Sequence, residues 1–217
     1  YRLENELHKA VENGDLSLHY QPIVSLANGE LHGFESLIRW VHLTKGIIHP
    51  GMFIPLAEEN GLISPIGEWV LAAACRQAGQ WRKDLGGRAS GMSLSVNLSV
   101  RQFVQHDLVD RIERILDRSG MPPRLLHLEV TESAVMEDPE HARNVLSRLK
   151  SLGVLLSLDD FGTGFSSLSY LTRLPLDSLK IDRSFVIRLG QDARTEAVVR
   201  AVCDLSRDLG MEVIAEG

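Results

Sequence analysis

Asp159 and Asp160 end an apolar, strand-like run, and a glycine-bracketed loop, Phe161-Gly162-Thr163-Gly164-Phe165-Ser166-Ser167-Leu168, follows at once. Two carboxylates at the end of a buried strand repel one another and resist leaving water. A cation, a hydrogen-bond network or a proton must make the placement tolerable. The plain alternative is a capped turn, because Asp and Gly are ordinary loop residues. A turn accounts for one Asp, but not for a pair matched by carboxylates on other strand-like runs.

Those matching carboxylates follow from alternation. Side chains two apart on a strand point the same way. In 126–132, Leu126, Leu128 and Val130 take one face, and His127, Glu129 and Thr131 take the other. In 93–100, Ser93, Ser95, Asn97 and Ser99 oppose Leu94, Val96, Leu98 and Val100. Glu35, Leu37 and Arg39 share a parity, as do Ser157 with Asp159, Lys180 with Asp182, and Glu212 with Ile214 and Glu216. With the apolar set under a helix layer, Glu35, Asn97, Glu129, Asp159, Asp160 and Glu216 converge at one polar mouth, with Arg39 and Lys180 among them.

Carboxylate and amide oxygens, with no Cys or His at matching positions, suit hard Mg²⁺ or Mn²⁺ rather than zinc. Five acids and an asparagine exceed what one magnesium ion usually takes from protein. Two ions bridged by Asp159 account for the excess, and a pair about 3.5–4 Å apart clamps the attacking and leaving oxygens of a phosphoryl group. Each residue also has a bland reading. Glu35 with Arg39 makes a plain ion pair, Asn97 satisfies a strand end, Lys180 and Asp182 form a buried salt bridge, and Glu216 is a surface carboxylate.

The elements that must position these groups alternate regularly. An amphipathic helix over 2–13 stops at Gly14. Strands over 16–24 and 31–40 flank Asn28-Gly29, a hairpin signal that makes them antiparallel. Ser64-Pro65 opens a helix to Leu85. Strands then follow at 92–100, 125–132, 154–160, 178–182 and 212–216. Helices near 107–118, from Asp138-Pro139 to Gly153, near 166–173 and over 193–209 lie between them. Strand-then-helix repeats imply parallel strands with right-handed crossovers. Seven strands in this length point to an α/β TIM-type barrel with an antiparallel first strand, its last strand and helix lying past Gly217. The alternative is an open doubly wound sheet, which no GxGxxG after the first strand supports. The whole of 1–217 reads as one domain.

The chain has 217 residues, 44% hydrophobic and 24% charged, with a formal net charge of −6. That balance offers no general attraction to nucleic acid or an anionic membrane, so a phosphate-bearing substrate needs local neutralisation. Cys75 and Cys203 form no CxxC pair and read as two buried thiols in a reducing compartment, the cytoplasm. No apolar run reaches membrane-spanning length. The start at Tyr1 and the stop after a strand-like run read as a piece of a longer protein.

Taken in order, Gln21-Pro22-Ile23, Glu35-Ser36-Leu37-Ile38-Arg39-Trp40, Val96-Asn97-Leu98-Ser99, Leu128-Glu129-Val130-Thr131-Glu132, the 159–168 stretch, Leu179-Lys180-Ile181-Asp182 and Ala215-Glu216-Gly217 closely resemble the EAL-domain cyclic di-GMP phosphodiesterases. The resemblance implies hydrolysis of cyclic di-GMP to linear pGpG with two Mg²⁺ or Mn²⁺ ions. It implies Glu35, Asn97, Glu129 and Asp159 as ligands of one ion and Asp159, Asp160 and Glu216 as ligands of the other. Lys180 contacts the nucleophilic water and the phosphate. Gln21, Leu37, Arg39 and Asp182 are implied on the substrate side, and Glu132 steadies the loop after Asp160. The resemblance also implies a homodimer through that loop, and fused sensory or diguanylate cyclase domains in the parent protein. The signature Glu-Ala-Leu reads Glu35-Ser36-Leu37 here, with Ser36 on the parity facing away from the mouth. Phe165 stands where the family often has tyrosine, and the family's glutamine after the final strand falls past Gly217.

Asp160-Phe161-Gly162 matches a protein-kinase motif only superficially, because the HRD loop, glycine-rich loop and VAIK lysine are absent. A receptor that binds cyclic di-GMP without hydrolysing it is the main rival, and a barrel hydrolase of another phosphodiester is a third reading. The eight histidines form no ligand-like cluster. Trp40, Trp69 and Trp81 read as packing aromatics with no interleaved basic patch for single-stranded nucleic acid.

Overall fold

The computed structural model describes residues 2–162 and 168–216. Tyr1, Gly217 and the loop residues Thr163, Gly164, Phe165, Ser166 and Ser167 lie outside the described residues. Chain contacts divide the protein into two compact units, Tyr1–Leu126 and His127–Gly217.

The first unit holds α1 (Arg2–Asn13), β1 (Leu16–Val24), β2 (Leu31–His42), β3 (Gly46–Ile48), α2 (Pro50–Glu59), α3 (Ile63–Leu85), β4 (Ser93–Leu98), α4 (Val100–Phe103) and α5 (Leu108–Ser119). β1 runs antiparallel to β2, and β4 lies parallel to β2. The hairpin is closed by a loop longer than Asn28-Gly29. Ser25 N–H donates to the Glu30 carbonyl at 2.9 Å, and Gly29 takes the positive φ of +72° that the turn requires. The alternation on β2 is as expected, with Ser36, Ile38 and Trp40 buried while Glu35, Leu37 and Arg39 are half-buried. Trp40 packs edge-on to Phe53 with ring centroids 5.9 Å apart, and Trp81 meets Tyr20 at 4.7 Å. α5 packs against α3, burying Leu108, Val109, Ile112, Ile115 and Leu116.

Three local expectations need correction in this unit. Residues 41–63 carry β3 and α2, which the sequence reading left without an element. Pro55 sits inside α2 and argues against a helix, while Pro50 occupies its tolerant first turn. Ser64 is not a helix cap, because α3 begins at Ile63 and the Asn60 side chain accepts from Leu62 N–H at 3.2 Å. Pro65 is tolerated because the first turn of a helix leaves its N–H groups unbonded anyway. β4 ends at Leu98 rather than running to 100, since Ser99 and Gln102 form a reciprocal capping box that starts α4.

The second unit holds β5 (Leu126–Thr131), α6 (Glu132–Glu137), α7 (Pro139–Ser151), β6 (Leu155–Phe161), α8 (Leu168–Leu171), β7 (Ser178–Ile181), α9 (Arg183–Val186), α10 (Ala193–Asp208) and β8 (Glu212–Ala215). Here β5, β6, β7 and β8 are parallel neighbours in that order. Leu128, Val130, Leu146, Leu149, Leu156, Leu158 and Leu179 are wholly buried. Asp138 caps α7 through His141 N–H at 3.1 Å, as the Asp-Pro start predicts. Asp177 pins the floor of the unit, accepting from Leu156 N–H at 2.8 Å and from Lys150 Nζ at 2.7 and 2.9 Å. Both cysteines are free thiols, but Cys203 is half-buried rather than buried as expected, while burial pushes Cys75 up to about 12, which leaves it unreactive. Among the described residues no helix is long and apolar enough to cross a membrane.

β2 lies close against β4 at Gly33, where an added Cβ would overlap the Ser93 hydroxyl and carbonyl. Gly33→Ala is expected to lower the urea-unfolding free energy by about 1–3 kcal/mol. An unchanged midpoint would contradict that close approach.

Candidate metal centre

In a regular strand Asp159 and Asp160 would face opposite ways. β6 keeps register with β5 through Thr131 and Asp159, but its pairing with β7 slips between Leu158 and Phe161. At the slip Asp160 adopts φ +55°, alone among the described non-glycine residues in taking a positive φ. Asp tolerates this left-handed backbone better than most residues, and Asp160 N–H donates to Asp159 Oδ1 at 2.9 Å. The irregularity therefore turns consecutive carboxylates to one place. There they join Glu216, and one oxygen from each of the three lies within 4.8 Å of the others. Glu216 is carried just past β8, where its N–H donates to the Ile181 carbonyl at 3.2 Å.

Lys180 stands at the centre of the same group and is 1% exposed. Its ammonium reaches Glu129 Oε2 at 2.8 Å, Asp159 Oδ2 at 3.3 Å and Glu216 Oε1 at 2.6 Å. Glu129 is equally buried, so this pair is a charge-assisted contact out of water, where removing one partner leaves the other uncompensated, whereas Glu216 is half-buried. Ser157 and Ser178 are register partners on β6 and β7, one alternation step back from Asp159 and Lys180. Both are buried, as the reading of small serines beneath the acids expects.

Asp182, which shares the parity of Lys180, is engaged elsewhere. Its carboxylate caps α9, accepting from Ser184 N–H at 2.9 Å. The Ser184 hydroxyl and N–H hold it below the usual carboxylate range. The bland reading of a Lys180–Asp182 salt bridge gives way to the three contacts above. Glu132, 2% exposed, accepts from Gly162 N–H at 3.2 Å and so fixes the backbone two residues after Asp160.

In the first unit, Asn97 Nδ2 donates to Glu35 Oε1 at 2.8 Å, which joins two expected ligands on neighbouring strands. Gln21 is the register partner of Glu35 across the hairpin. The Arg39 guanidinium donates to the Ile38 carbonyl at 2.8 Å, and Leu37 lies half-buried between Glu35 and Arg39 in the alternation. Ser36 is buried, and its hydroxyl donates to the Ser95 carbonyl at 2.8 Å. A serine thus finds a partner on the face away from Glu35.

An oxygen-only donor set with three carboxylates in mutual reach can hold a metal ion. Sequence reasoning found the acids, but it missed the slip that unites Asp159 with Asp160 and the role of Lys180 as common partner of Glu129, Asp159 and Glu216. Its signal was a lysine on the parity of the acids, one strand over.

A family model described as "EAL domain" matches residues 4–217. The chain is 47% identical over its full length to the bifunctional diguanylate cyclase/cyclic di-GMP phosphodiesterase MucR of Pseudomonas aeruginosa, and covers 31% of that protein. It is 43% identical to the cyclic di-GMP phosphodiesterase NbdA of the same organism, also over its full length, and covers 27% of it. The chain thus spans about a third of these relatives or less. A solved structure of the PaMucR phosphodiesterase in complex with c-di-GMP superposes with a TM-score of 0.95 at 46% identity, covering 100% of this chain and 87% of the other.

Asp160→Gly removes both the positive-φ side chain and one carboxylate of the cluster. It is expected to leave thermal stability unchanged or raised by up to about 1 kcal/mol. Mn²⁺ binding, read by calorimetry, should weaken tenfold or more, about 1.4 kcal/mol. A large loss of stability with unchanged Mn²⁺ affinity would show Asp160 to be structural.

Proposed function

This chain belongs to the EAL-domain family, and from that membership and the geometry of its acids we propose that it hydrolyses one phosphodiester of cyclic di-GMP to give linear pGpG. Its fold is accordingly the expected TIM-type α/β barrel class, with β1 antiparallel to β2. The observation that carries the reading is the convergence of Asp159, Asp160 and Glu216 within 4.8 Å, beside the buried ammonium of Lys180.

The roles follow from chemistry and from the family resemblance. Glu129, Asp159, Asp160 and Glu216 in the second unit would hold hard divalent ions, Mg²⁺ or Mn²⁺, and Glu35 with Asn97 in the first unit offers oxygen ligands of the same kind, two ions in all. Such a pair supplies positive charge to the phosphoryl oxygens and acidity to the attacking water. Lys180 presents donors to a phosphate oxygen and is oriented by Glu129. Glu132 holds the Gly162 amide, and through it the backbone that aims Asp160. Gln21, Leu37, Arg39 and Asp182 lie on the substrate side, Arg39 offering the planar donor fork suited to phosphate. The combined name of MucR supports a module within a longer protein that also carries a cyclase domain, and the family resemblance adds sensory domains. Free thiols suit a cytoplasmic setting, and the loop after Asp160 serves a homodimer.

Incubation with cyclic di-GMP and Mg²⁺ or Mn²⁺ is expected to yield pGpG. Binding without product would place the domain among receptors instead. Glu35→Ala should lower turnover by roughly a thousandfold or more, about 4 kcal/mol. Retained turnover would remove Glu35 from the metal shell.

A further inference from the structure

The contacts of Lys180 bear on how an ion enters the site. Its ammonium lies on one oxygen each of Glu129, Asp159 and Glu216, at 2.8, 3.3 and 2.6 Å. Two of those acids, Asp159 and Glu216, belong to the cluster whose oxygens lie close enough together to ligate one ion. The remaining oxygen of Asp159 already accepts the Asp160 N–H at 2.9 Å. A hard divalent ion bonds oxygen at about 2.0–2.1 Å with strict geometry. An ion held by Asp159 and Glu216 therefore sits beside the ammonium that bonds the same two carboxylates, which brings two cations close together where water is scarce.

We propose that Lys180 is an internal counter-ion that a divalent metal must displace, so that loading this site is a cation exchange. The inference rests on the reading of the acids as metal ligands. The ammonium holds the carboxylates together against their own repulsion and sets their spacing, and it competes for their oxygens. Lys180 is thus a positioning residue for the ligand cluster, in addition to any contact with substrate. The burial of Lys180, Glu129 and Asp159 makes the competition strong, because these groups have little water as an alternative, while the half-buried Glu216 leaves the ion a way in.

The test is Mn²⁺ titration by calorimetry, without nucleotide, on chelator-stripped protein. Lys180→Gln keeps a hydrogen-bond donor and removes the charge. It is expected to bind Mn²⁺ at least tenfold more tightly than the wild type while melting at a lower temperature when stripped. Lys180→Arg, which keeps the charge, should return the affinity toward the wild-type value. Equal or weaker Mn²⁺ binding by Lys180→Gln overturns the exchange, because a merely structural lysine would loosen the site on removal. Failure of both proteins to bind Mn²⁺ at millimolar concentration would instead sink the ligand reading itself. Should Lys180→Gln not fold, the wild type still decides. The Lys180 Cε–Nζ resonances should shift on saturation with diamagnetic Mg²⁺, and unmoved resonances with Mg²⁺ bound overturn the proposal.

Discussion

The second unit depends on keeping several carboxylates, two of them buried, close together. Glu129 and Asp159 are buried and face the same ammonium as Glu216, with Asp160 beside them. Like charges so placed repel strongly, and without an opposing charge they would take up protons or force the strands apart. Lys180 is the opposing charge that the fold itself provides. The surrounding order makes sense on that basis. Parallel strands deliver one acid each from β5 and β6, β7 delivers the lysine, and the residue after β8 delivers Glu216.

Two local devices refine what the sheet alone can do. Strand alternation supplies only every second residue to a face, so a plain sheet would waste one of two adjacent acids. The slip in β6, with Asp160 in the left-handed region, brings in the second at the cost of backbone strain. Glu132 then fixes the amide of Gly162, two residues after Asp160. The first unit shows a parallel economy, in which Asn97 and Glu35 are tied by a hydrogen bond on adjacent strands.

Much of this was legible in the residues. Alternation identified the strands and the faces of Glu35, Asn97, Glu129, Asp159 and Lys180, because burial on one face leaves a period-two record. Asp138-Pro139 marked a helix start for a similar reason, since cap chemistry is local. The sequence reading went astray where a local rule has a tolerated exception or a competing signal. Pro55 sits within α2, Ser64 looks like a cap but lies inside α3, and Ser99 with Gln102 ends β4 early. The slip at Asp160 left no pattern beyond an unexpected pair of acids, because a bulge depends on the partner strand. Asp182 shared the parity of Lys180 yet serves as the cap of α9, which shows that parity places a side chain without naming its partner.

The central claim is that these oxygen donors hold divalent cations. Anomalous diffraction at the manganese edge, from crystals of the full chain grown with Mn²⁺, tests it most directly. The account predicts two Mn²⁺ ions, one of them bonded to oxygens of Asp159, Asp160 and Glu216. Manganese found only elsewhere on the protein, with those three carboxylates bonded to nothing but Lys180 and water, would contradict it.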